Sequence, residues 1–408
     1  MTEHKRTNLS VDSSDNFFLD LFCRVIDNFG DAGFSLRLSR SLYRQGIKVR
    51  LFCDHQATLE PLLTQDDRDS ALFSVELWPD PADYCPAPAV VAAFSCRLEA
   101  VLEQRLKSAN CLLINLEYLT AEDFAASCHG LSSPTGGLKC YFFFPGFSPQ
   151  TGGLLKDDRL FNLRKNIVKI YIKDRSENSL EGCLDNHQKT VPVSFTDINT
   201  QPLTVSFFSY HNERALDFID HLRECCTKLE LKVCAGMARE CLQQRLKTGL
   251  NEGDELDNAG MKVQCLPMLS QDEYDLLLSC CNLNLVRGEE SVVRAMLLGR
   301  PFLWDIYVQK DQAHVTKLKA LFTRIDQECC SGSGDLKLSE GLHLWRELNL
   351  EYIGSKEIRL INTLDLRTFW PTWCELSWRW SEYLWTLPNL GDSLRDFIQI
   401  KLQNRLPT

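Results

Sequence analysis

Short apolar runs alternate with longer amphipathic stretches in the first part of the chain. The runs predict β-strands at 17–25, 49–53, 74–78, 90–94, 111–116 and 139–144. The stretches between them have the character of helices, and the first helix is predicted over 33–45. Strands that are apolar on both faces are typical of parallel sheets covered by helices on each side. The pattern therefore predicts an α/β domain built on a parallel sheet.

A second series of the same kind begins near Leu203. Its predicted strands are 203–208, 229–235, 261–266, 283–286 and 301–304. Glycines, prolines and a polar run over 176–187 interrupt the pattern between 145 and 200, which is typical of loops and an interdomain link. We expect two tandem domains, 1–195 and 196–375, and C-terminal helices over 376–408 that pack back on the first domain.

Beyond residue 311 the pattern is helical, and six of the eight tryptophans lie there. Tryptophan buries a large area at a low entropy cost. We expect these side chains to bury a seam between the two domains.

Composition narrows the possible classes of function. A chain of 408 residues is long enough for two domains, and its formal net charge of -10 argues against nucleic acid as a partner. No apolar run approaches membrane-spanning length and the N-terminal residues are polar, so we expect a cytoplasmic protein without a membrane partner. The 18 cysteines form no C-x-x-C pair and are expected to be reduced, buried thiols without a metal.

The turn after the first predicted strand carries two carboxylates, Asp27 and Asp31. Ligands of open parallel sheets bind outside the carboxyl ends of the strands, so both acids are candidate catalytic groups. They could also be ordinary turn residues, and Asp31 could cap the following helix. The turn has no G-x-G-x-x-G pattern, which argues against a nicotinamide or flavin domain.

A second candidate site lies where a predicted strand meets a glycine turn and a helix that should begin near Ser291. Free amides at a helix N-terminus bind anions, so Gly288 and the residues after it are a plausible diphosphate cradle. A carboxylate such as Glu289 or Glu290 is costly beside a diphosphate unless it accepts hydrogen bonds from ligand hydroxyls, as a sugar would supply. Alternatively, Glu290 pairs with Arg294 on a solvated helix.

A diphosphate site with acceptors for hydroxyls suggests a nucleotide-sugar. An acidic first domain opposite such a site is the arrangement of a glycosyltransferase with two Rossmann-like domains. Phe208 and Tyr210, at the end of a predicted strand, could lie near the donor, although aromatic residues at strand ends more often only pack.

Several ordered motifs resemble the bacterial protein-arginine rhamnosyltransferases that modify elongation factor P, the EarP family. They are FCRVIDNFGD (22–31), INLEYLTAED (114–123), CHGL (128–131), FFFPGF (142–147), TGGLL (151–155) and VRGEES (286–291). The motifs span most of the chain. Met268 and Glu290 differ from the family, which more often has phenylalanine and aspartate at these positions.

The resemblance implies a GT-B fold, with two Rossmann-like domains facing across a cleft and C-terminal helices bridging them. It implies transfer of L-rhamnose from dTDP-β-L-rhamnose to an arginine of elongation factor P, with inversion, which activates that factor to relieve ribosome stalling at proline runs. No metal or other cofactor is expected. The implied donor-binding residues are Phe208, Tyr210, Gln271, Arg287, Gly288, Glu289, Glu290 and Ser291, and the acceptor-side candidates are Asn28, Phe29 and Gly30.

An arginine acceptor would explain why two acids are needed. A guanidinium is planar, delocalised and protonated, so carboxylates must orient it and accept a proton before it attacks. On the resemblance, Asp31 is the general base and Asp27 the orienting partner, although the residues alone do not separate these roles. Two alternatives stay open: a transferase for a lipid or small-molecule acceptor, and an adaptor that binds elongation factor P without transferring sugar.

Overall fold

Two mainly parallel sheets organise the chain. The computed structural model describes residues 17–26, 29–135, 138–176, 201–309, 311–331 and 334–404, with the side chains of 134–135 and 168–176 outside the description. Each sheet has helices on both faces. The predicted α/β class and the two Rossmann-like units are confirmed.

The first sheet has seven strands in the order β3-β2-β1-β4-β5-β7-β6, and only β6 is antiparallel to its neighbour. Its strands are β1 (Phe18–Cys23), β2 (Lys48–Cys53), β3 (Phe73–Glu76), β4 (Ala89–Ala93), β5 (Leu112–Leu116), β6 (Ser132–Thr135) and β7 (Leu138–Phe143). The helices of this part are α1 (Phe29–Tyr43), α2 (Gln56–Leu59), α3 (Gln65–Asp69), α4 (Ala100–Ser108), α5 (Asp123–Cys128) and α6 (Asp158–Ser176), with a 3₁₀ turn at Glu60–Leu62.

The second sheet has six strands in the order β10-β11-β9-β8-β12-β13, and only β10 is antiparallel to its neighbour. Its strands are β8 (Leu203–Phe207), β9 (Leu229–Val233), β10 (Glu255–Asn258), β11 (Met261–Cys265), β12 (Leu283–Arg287) and β13 (Phe302–Asp305). The helices are α7 (Glu213–Cys225), α8 (Met237–Leu246), α9 (Gln271–Cys280), α10 (Glu289–Leu298), α11 (Ala313–Ile325), α12 (Leu336–Tyr352), α13 (Leu360–Thr363), α14 (Leu366–Thr386) and α15 (Leu390–Gln403), with a π-helical turn at Asp326–Cys330.

Burial explains which strands the apolar pattern predicts. Every residue of β4 and β12 is buried, as expected for central strands covered on both faces. The edge strands β6 and β10 were not predicted, because β10 is polar and partly exposed and β6 is a Ser-Ser-Pro-Thr segment. An edge strand needs only one partner and can be short and polar.

The C-terminal helices divide between the two cores. Trp373 and Trp380 of α14 are fully buried in the second core, whereas Leu394 of α15 is buried in the first. The tryptophans therefore mostly fill the second core, while Trp380 and Trp385 also pack against Phe147 and Phe161 of the predicted first domain, so the expected seam is formed in part. The predicted boundary between residues 375 and 376 falls inside α14, and the chain changes domain at 387–389.

The two chain crossings between the domains lie side by side. Leu154 N donates to Pro388 O at 3.2 Å, and Leu390 N donates to Leu154 O at 2.9 Å. The buried ammonium of Lys156 donates to Leu387 O at 2.6 Å. These bonds join the link after the first sheet to the link between α14 and α15.

Two of the expectations from composition concern membranes and cysteines. Within the described part of the chain, none of the helices has both the length and the apolar character that crossing a membrane would require. Every described cysteine is a free thiol, as expected, and most are buried, but Cys85 is exposed, contrary to the prediction.

Candidate active site

The acidic turn lies at the N-terminus of α1. The helix begins at Phe29 rather than at residue 33, so Gly30 and Asp31 belong to its first turn. Asp31 is 4% exposed, and its Oδ2 accepts a hydrogen bond from Ile26 N at 2.8 Å. A carboxylate in the first turn also interacts favourably with the helix dipole. Asp31 therefore lies inside the helix and not at its N-cap, while Asp27 and Asn28 lie outside the described residues.

A cavity lies between the start of α1 and the carboxyl ends of the second sheet. The first domain contributes Phe29, Gly30 and Arg37, and the second contributes the β12–α10 turn. The predicted donor-binding residues along this cavity are Phe208, Gln271, Arg287, Gly288, Glu289, Glu290 and Ser291. Tyr210 lies beside the cavity, next to Arg287. The structure thus brings the described candidates of both motifs together in one cleft.

A glycine turn sets the direction of α10. Gly288 has a φ of 70°, a left-handed conformation that favours glycine, and α10 begins immediately after it at Glu289. The helix thus starts two residues before the predicted position. Trp304 Nε1 donates to Gly288 O at 2.9 Å and fixes the turn. The first amides of α10 consequently face the cavity, which is the geometry expected of an anion site.

Arg287 supplies a positive charge at the wall of this cavity. Its guanidinium lies 4.5 Å from the ring centroid of Phe208 and 4.9 Å from that of Tyr210. The nearby carboxylate of Asp305 accepts hydrogen bonds from Ser209 Oγ at 2.6 Å and Tyr210 N at 2.8 Å. Among the residues that the structure describes, Arg287 forms no ion pair with a carboxylate. Its charge is placed to interact with an anionic ligand.

Glu289 and Glu290 both reach across the cleft to the first domain. Glu289 Oε2 accepts a hydrogen bond from Leu119 N at 2.8 Å, and its Oε1 pairs with Lys317 of α11. Glu290 Oε1 lies 2.5 Å from Arg37 Nε, an ion pair whose angle is outside hydrogen-bond geometry. Burial raises the pKa of Glu290, while the attraction of Arg37 opposes that shift.

The alternative pairing of Glu290 with Arg294 is wrong. Arg294 is 1% exposed and pairs instead with Asp275 at 2.5 Å and Asp157 at 2.7 Å. Glu290 is therefore not on a solvated helix face. Its expected contact with sugar hydroxyls stays a prediction.

Gln271 lies on the cavity wall, but its side chain is engaged between the domains. Nε2 donates to Gly33 O at 2.9 Å, and Oε1 accepts from Arg40 Nη1 at 2.5 Å. The contact fixes the start of α9 against α1. Sequence reasoning missed this role because the partners are separated by more than 200 positions in the chain.

A second part of the cleft lies on the other side of Asp31. It is lined by Asp31 itself, by Phe34 and Phe94, and by Tyr118 and Lys317. The Phe94 and Tyr118 rings stack at 4.8 Å, and Phe94 has a φ of 55°. A left-handed conformation in a large residue is strained and often marks a functional site. Sequence analysis did not single out Phe94 or Lys317 for the site, since neither belongs to a recognisable motif.

Two residues of the family-like motifs have structural partners. His129 Nδ1 accepts a hydrogen bond from Phe144 N at 3.1 Å, and burial lowers the pKa of this histidine. Glu117 accepts hydrogen bonds from Ser95 Oγ at 2.8 Å and Asn115 Nδ2 at 2.7 Å. Both side chains support the loops at the ends of β4, β5 and β7.

One group of potential metal ligands occurs among the described residues, away from the cleft. It consists of His211, Glu213 and Cys241, whose ligand atoms lie within 4.8 Å of one another. Glu213 is already paired with Arg245 at 3.2 Å, and burial raises the pKa of the Cys241 thiol. A protonated thiol and a paired carboxylate are poor metal ligands.

Comparisons with known proteins agree with the geometry. Residues 19–399 match the family described as elongation factor P (EF-P) rhamnosyltransferase EarP. The protein-arginine rhamnosyltransferase of Pseudomonas putida is 34% identical over 394 residues, covering 94% of this chain and 99% of that protein. The protein of the same name from Pseudomonas aeruginosa is 35% identical over 312 residues, covering 74% of this chain and 80% of that protein.

A solved structure is also similar, from work on the structural basis for EarP-mediated arginine glycosylation of translation elongation factor EF-P. It has a TM-score of 0.56 and 24% identity, and the match covers 96% of this chain and 100% of that one. The fold is that of GT-B glycosyltransferases, as the resemblance implied, and the chain is a glycosyltransferase enzyme. The chain belongs to the EF-P rhamnosyltransferase family EarP.

Proposed function

We propose that this enzyme transfers L-rhamnose from dTDP-β-L-rhamnose to an arginine side chain of elongation factor P. Family membership supports the reaction class and the acceptor. The observation that carries the proposal is the placement of two features on opposite walls of one cleft. Asp31 occupies the first-domain wall, and Arg287 with the N-terminus of α10 occupies the second.

The second domain would hold the nucleotide-sugar. The first amides of α10 and the Arg287 guanidinium would bind the diphosphate, because both present positive charge to the same cavity. Ser291 is 8% exposed and adds a hydroxyl at the same helix end. The Phe208 and Tyr210 rings support the guanidinium, and Glu289 would accept a hydrogen bond from a sugar hydroxyl.

The first domain would activate the acceptor. A guanidine nitrogen attacks the anomeric carbon from the face opposite the diphosphate, and a new C–N bond forms as the bond from that carbon to the diphosphate oxygen breaks. dTDP leaves with the electron pair, and a carboxylate of the Asp27/Asp31 pair receives the proton of the nitrogen. Displacement in a single step inverts the anomeric configuration.

The main-chain hydrogen bond at Asp31 suits the role of base. Ile26 N donates to Oδ2, which fixes the carboxylate at the lining of the cleft. A positioned base of this kind typically accelerates proton transfer by about 10²- to 10⁴-fold. The modified factor would then be active in relieving ribosome stalling at proline runs.

The assignment of the base is tested with Asp31→Asn. We expect turnover to fall by roughly 10²- to 10⁴-fold, while the affinity for dTDP, measured by calorimetry, changes by less than about twofold because Asp31 is not on the donor side. Asp392→Asn is the matched control, since Asp392 is a half-exposed acid in the first turn of α15. Near-normal turnover of Asp31→Asn would remove Asp31 from the mechanism.

A further inference from the structure

Five charged residues form a largely buried cluster between the two domains. They are Arg37 on α1, Asp157 on the interdomain link, Asp275 on α9, and Glu290 and Arg294 on α10. The carboxylate at its centre is fully buried, and the two guanidiniums are 7% and 1% exposed. Burying charges is costly unless each one is paired, so the arrangement must be closely matched.

The central carboxylate is shared by two arginines from different domains. Arg37 Nη1 and Nη2 donate to the two oxygens of Asp275 at 3.0 Å each. Arg294 binds the same oxygens through Nε at 3.0 Å and Nη2 at 2.5 Å. Paired, parallel hydrogen bonds of this kind fix direction as well as distance. Arg37 thus joins the first domain to the second through the buried Asp275.

All three nitrogens of Arg37 contact groups of the protein, although the residue borders the donor cavity. Besides its two bonds to Asp275, Nη2 donates to Gln271 O at 3.0 Å and Nε lies against Glu290 at 2.5 Å. Arg287, by contrast, forms no ion pair among the described residues. The two arginines near the donor cavity therefore have different tasks.

The position of Arg37 on α1 connects it to the acidic turn. Arg37 follows Asp31 by six residues on the same helix, so the two lie roughly 9 Å apart along the helix axis at 1.5 Å per residue. Its partner Glu290 is the second residue of α10, between Glu289 and Ser291. A rigid helix therefore joins the proposed base to a contact inside the proposed diphosphate cradle.

We propose that Arg37 is a positioning residue: its contacts with Asp275 and Glu290 set the distance between Asp31 and the donor held on α10. The inference rests on the proposed function, since that distance matters only when Asp31 acts on an acceptor attacking the donor. A misplacement of about 1 Å between reacting groups can lower the rate by roughly 100-fold. The charge cluster thus positions the two domains for transfer and does not bind the nucleotide.

The test uses Arg37→Lys, which keeps the positive charge but removes the planar guanidinium that makes two parallel hydrogen bonds. We expect kcat for transfer to elongation factor P to fall roughly 10- to 100-fold, with the KM for the donor and the affinity for dTDP within about twofold of the original. Asp275→Asn should show the same pattern, and the double variant should lose little more than either single one, because both remove one contact.

A matched control is an exposed arginine of α6, Arg159, whose partner Asp272 lies on α9. Arg159 pairs with Asp272 at 2.8 Å, but both side chains are about half exposed, and Arg159→Lys should leave kcat unchanged. Thermal unfolding of each variant shows whether it folds. If Arg37→Lys does not fold, Asp275→Asn replaces it, since asparagine keeps the size of the side chain and removes only its charge.

The outcomes separate the inference from the proposed function. Failure of the unaltered enzyme to transfer rhamnose would overturn the proposed function itself. If the unaltered enzyme is active and Arg37→Lys, or Asp275→Asn in its place, keeps a near-normal kcat, the positioning role is wrong. A loss of dTDP affinity in step with the loss of activity would make Arg37 a direct donor ligand and would also overturn the inference.

Discussion

Replacing Arg287 by methionine should weaken dTDP binding more than any other single change in the second domain that spares the fold. Methionine retains an apolar stem of similar length against the Phe208 and Tyr210 rings, so packing is largely kept. What is lost is one charged donor facing the diphosphate. A hydrogen bond to a charged group contributes about 1.5–3 kcal/mol, which corresponds to roughly a 10- to 150-fold rise in Kd.

Isothermal titration of the purified protein with dTDP measures this change directly. Arg223→Met is the control, because Arg223 lies on α7 of the same domain, is partly exposed and pairs with Asp220 at 3.5 Å. Its dTDP affinity should stay within about twofold of the original, as expected for the loss of a weak surface pair. Circular dichroism should show the same helix content for both variants.

Arg287 does not hold the diphosphate if Arg287→Met binds dTDP as tightly as the unaltered protein. The guanidinium would then be a packing element between two aromatic rings, and the amides of α10 alone would hold the diphosphate. A loss of affinity accompanied by a large loss of helix content would also count against this role, because the aromatic contacts would then have been essential to the fold.

Other consequences follow for stability and turnover. Gly153→Ala should lower the free energy of unfolding by at least about 1–3 kcal/mol, because Gly153 has a φ of +75° and an added Cβ would lie 2.1 Å from Pro388 O; Gly249→Ala, with no atom within 4 Å of its Cβ, should change thermal unfolding little. Burial lowers the pKa of His129 below its ordinary 6.5, so its contribution to stability is full above about pH 6.5 and is lost as the pH falls further. When the pH is lowered from 7.5 to 5.5, the free energy of unfolding should therefore fall less in His129→Asn than in the unaltered protein. Denaturant titrations at the two pH values measure this difference. An equal fall in both proteins would assign the pH effect to other groups.

The parts of the fold that the sequence predicts are those set by local pattern. The apolar runs of β1, β4, β5, β8 and β12 are buried on both faces, so their pattern alone indicates central parallel strands. The beginning of α1 was placed four residues late. Glycine and acidic residues favour a turn locally, but packing of Phe29 against the first core extends the helix through them.

In the candidate site, too, local pattern predicts some features and misses those that depend on contacts between the domains. Its residues were found because each motif lies at the carboxyl end of a strand, where parallel sheets place their ligands. The interdomain contacts of Gln271 and Glu290 could not be predicted, since each depends on how one domain is oriented against the other. Arg37 gave no signal at all: its partner Asp275 is 238 positions away, and arginine on a helix usually faces solvent.

The central claim is tested most directly by incubating the purified enzyme with dTDP-β-L-rhamnose and unmodified elongation factor P. The intact mass of the factor is then measured, and any gain is localised by fragmentation. The account predicts the gain of a single deoxyhexose on one arginine, and no gain with the Asp31→Asn variant over the same time. An unchanged mass while dTDP still binds, or a sugar on a residue other than arginine, would contradict it.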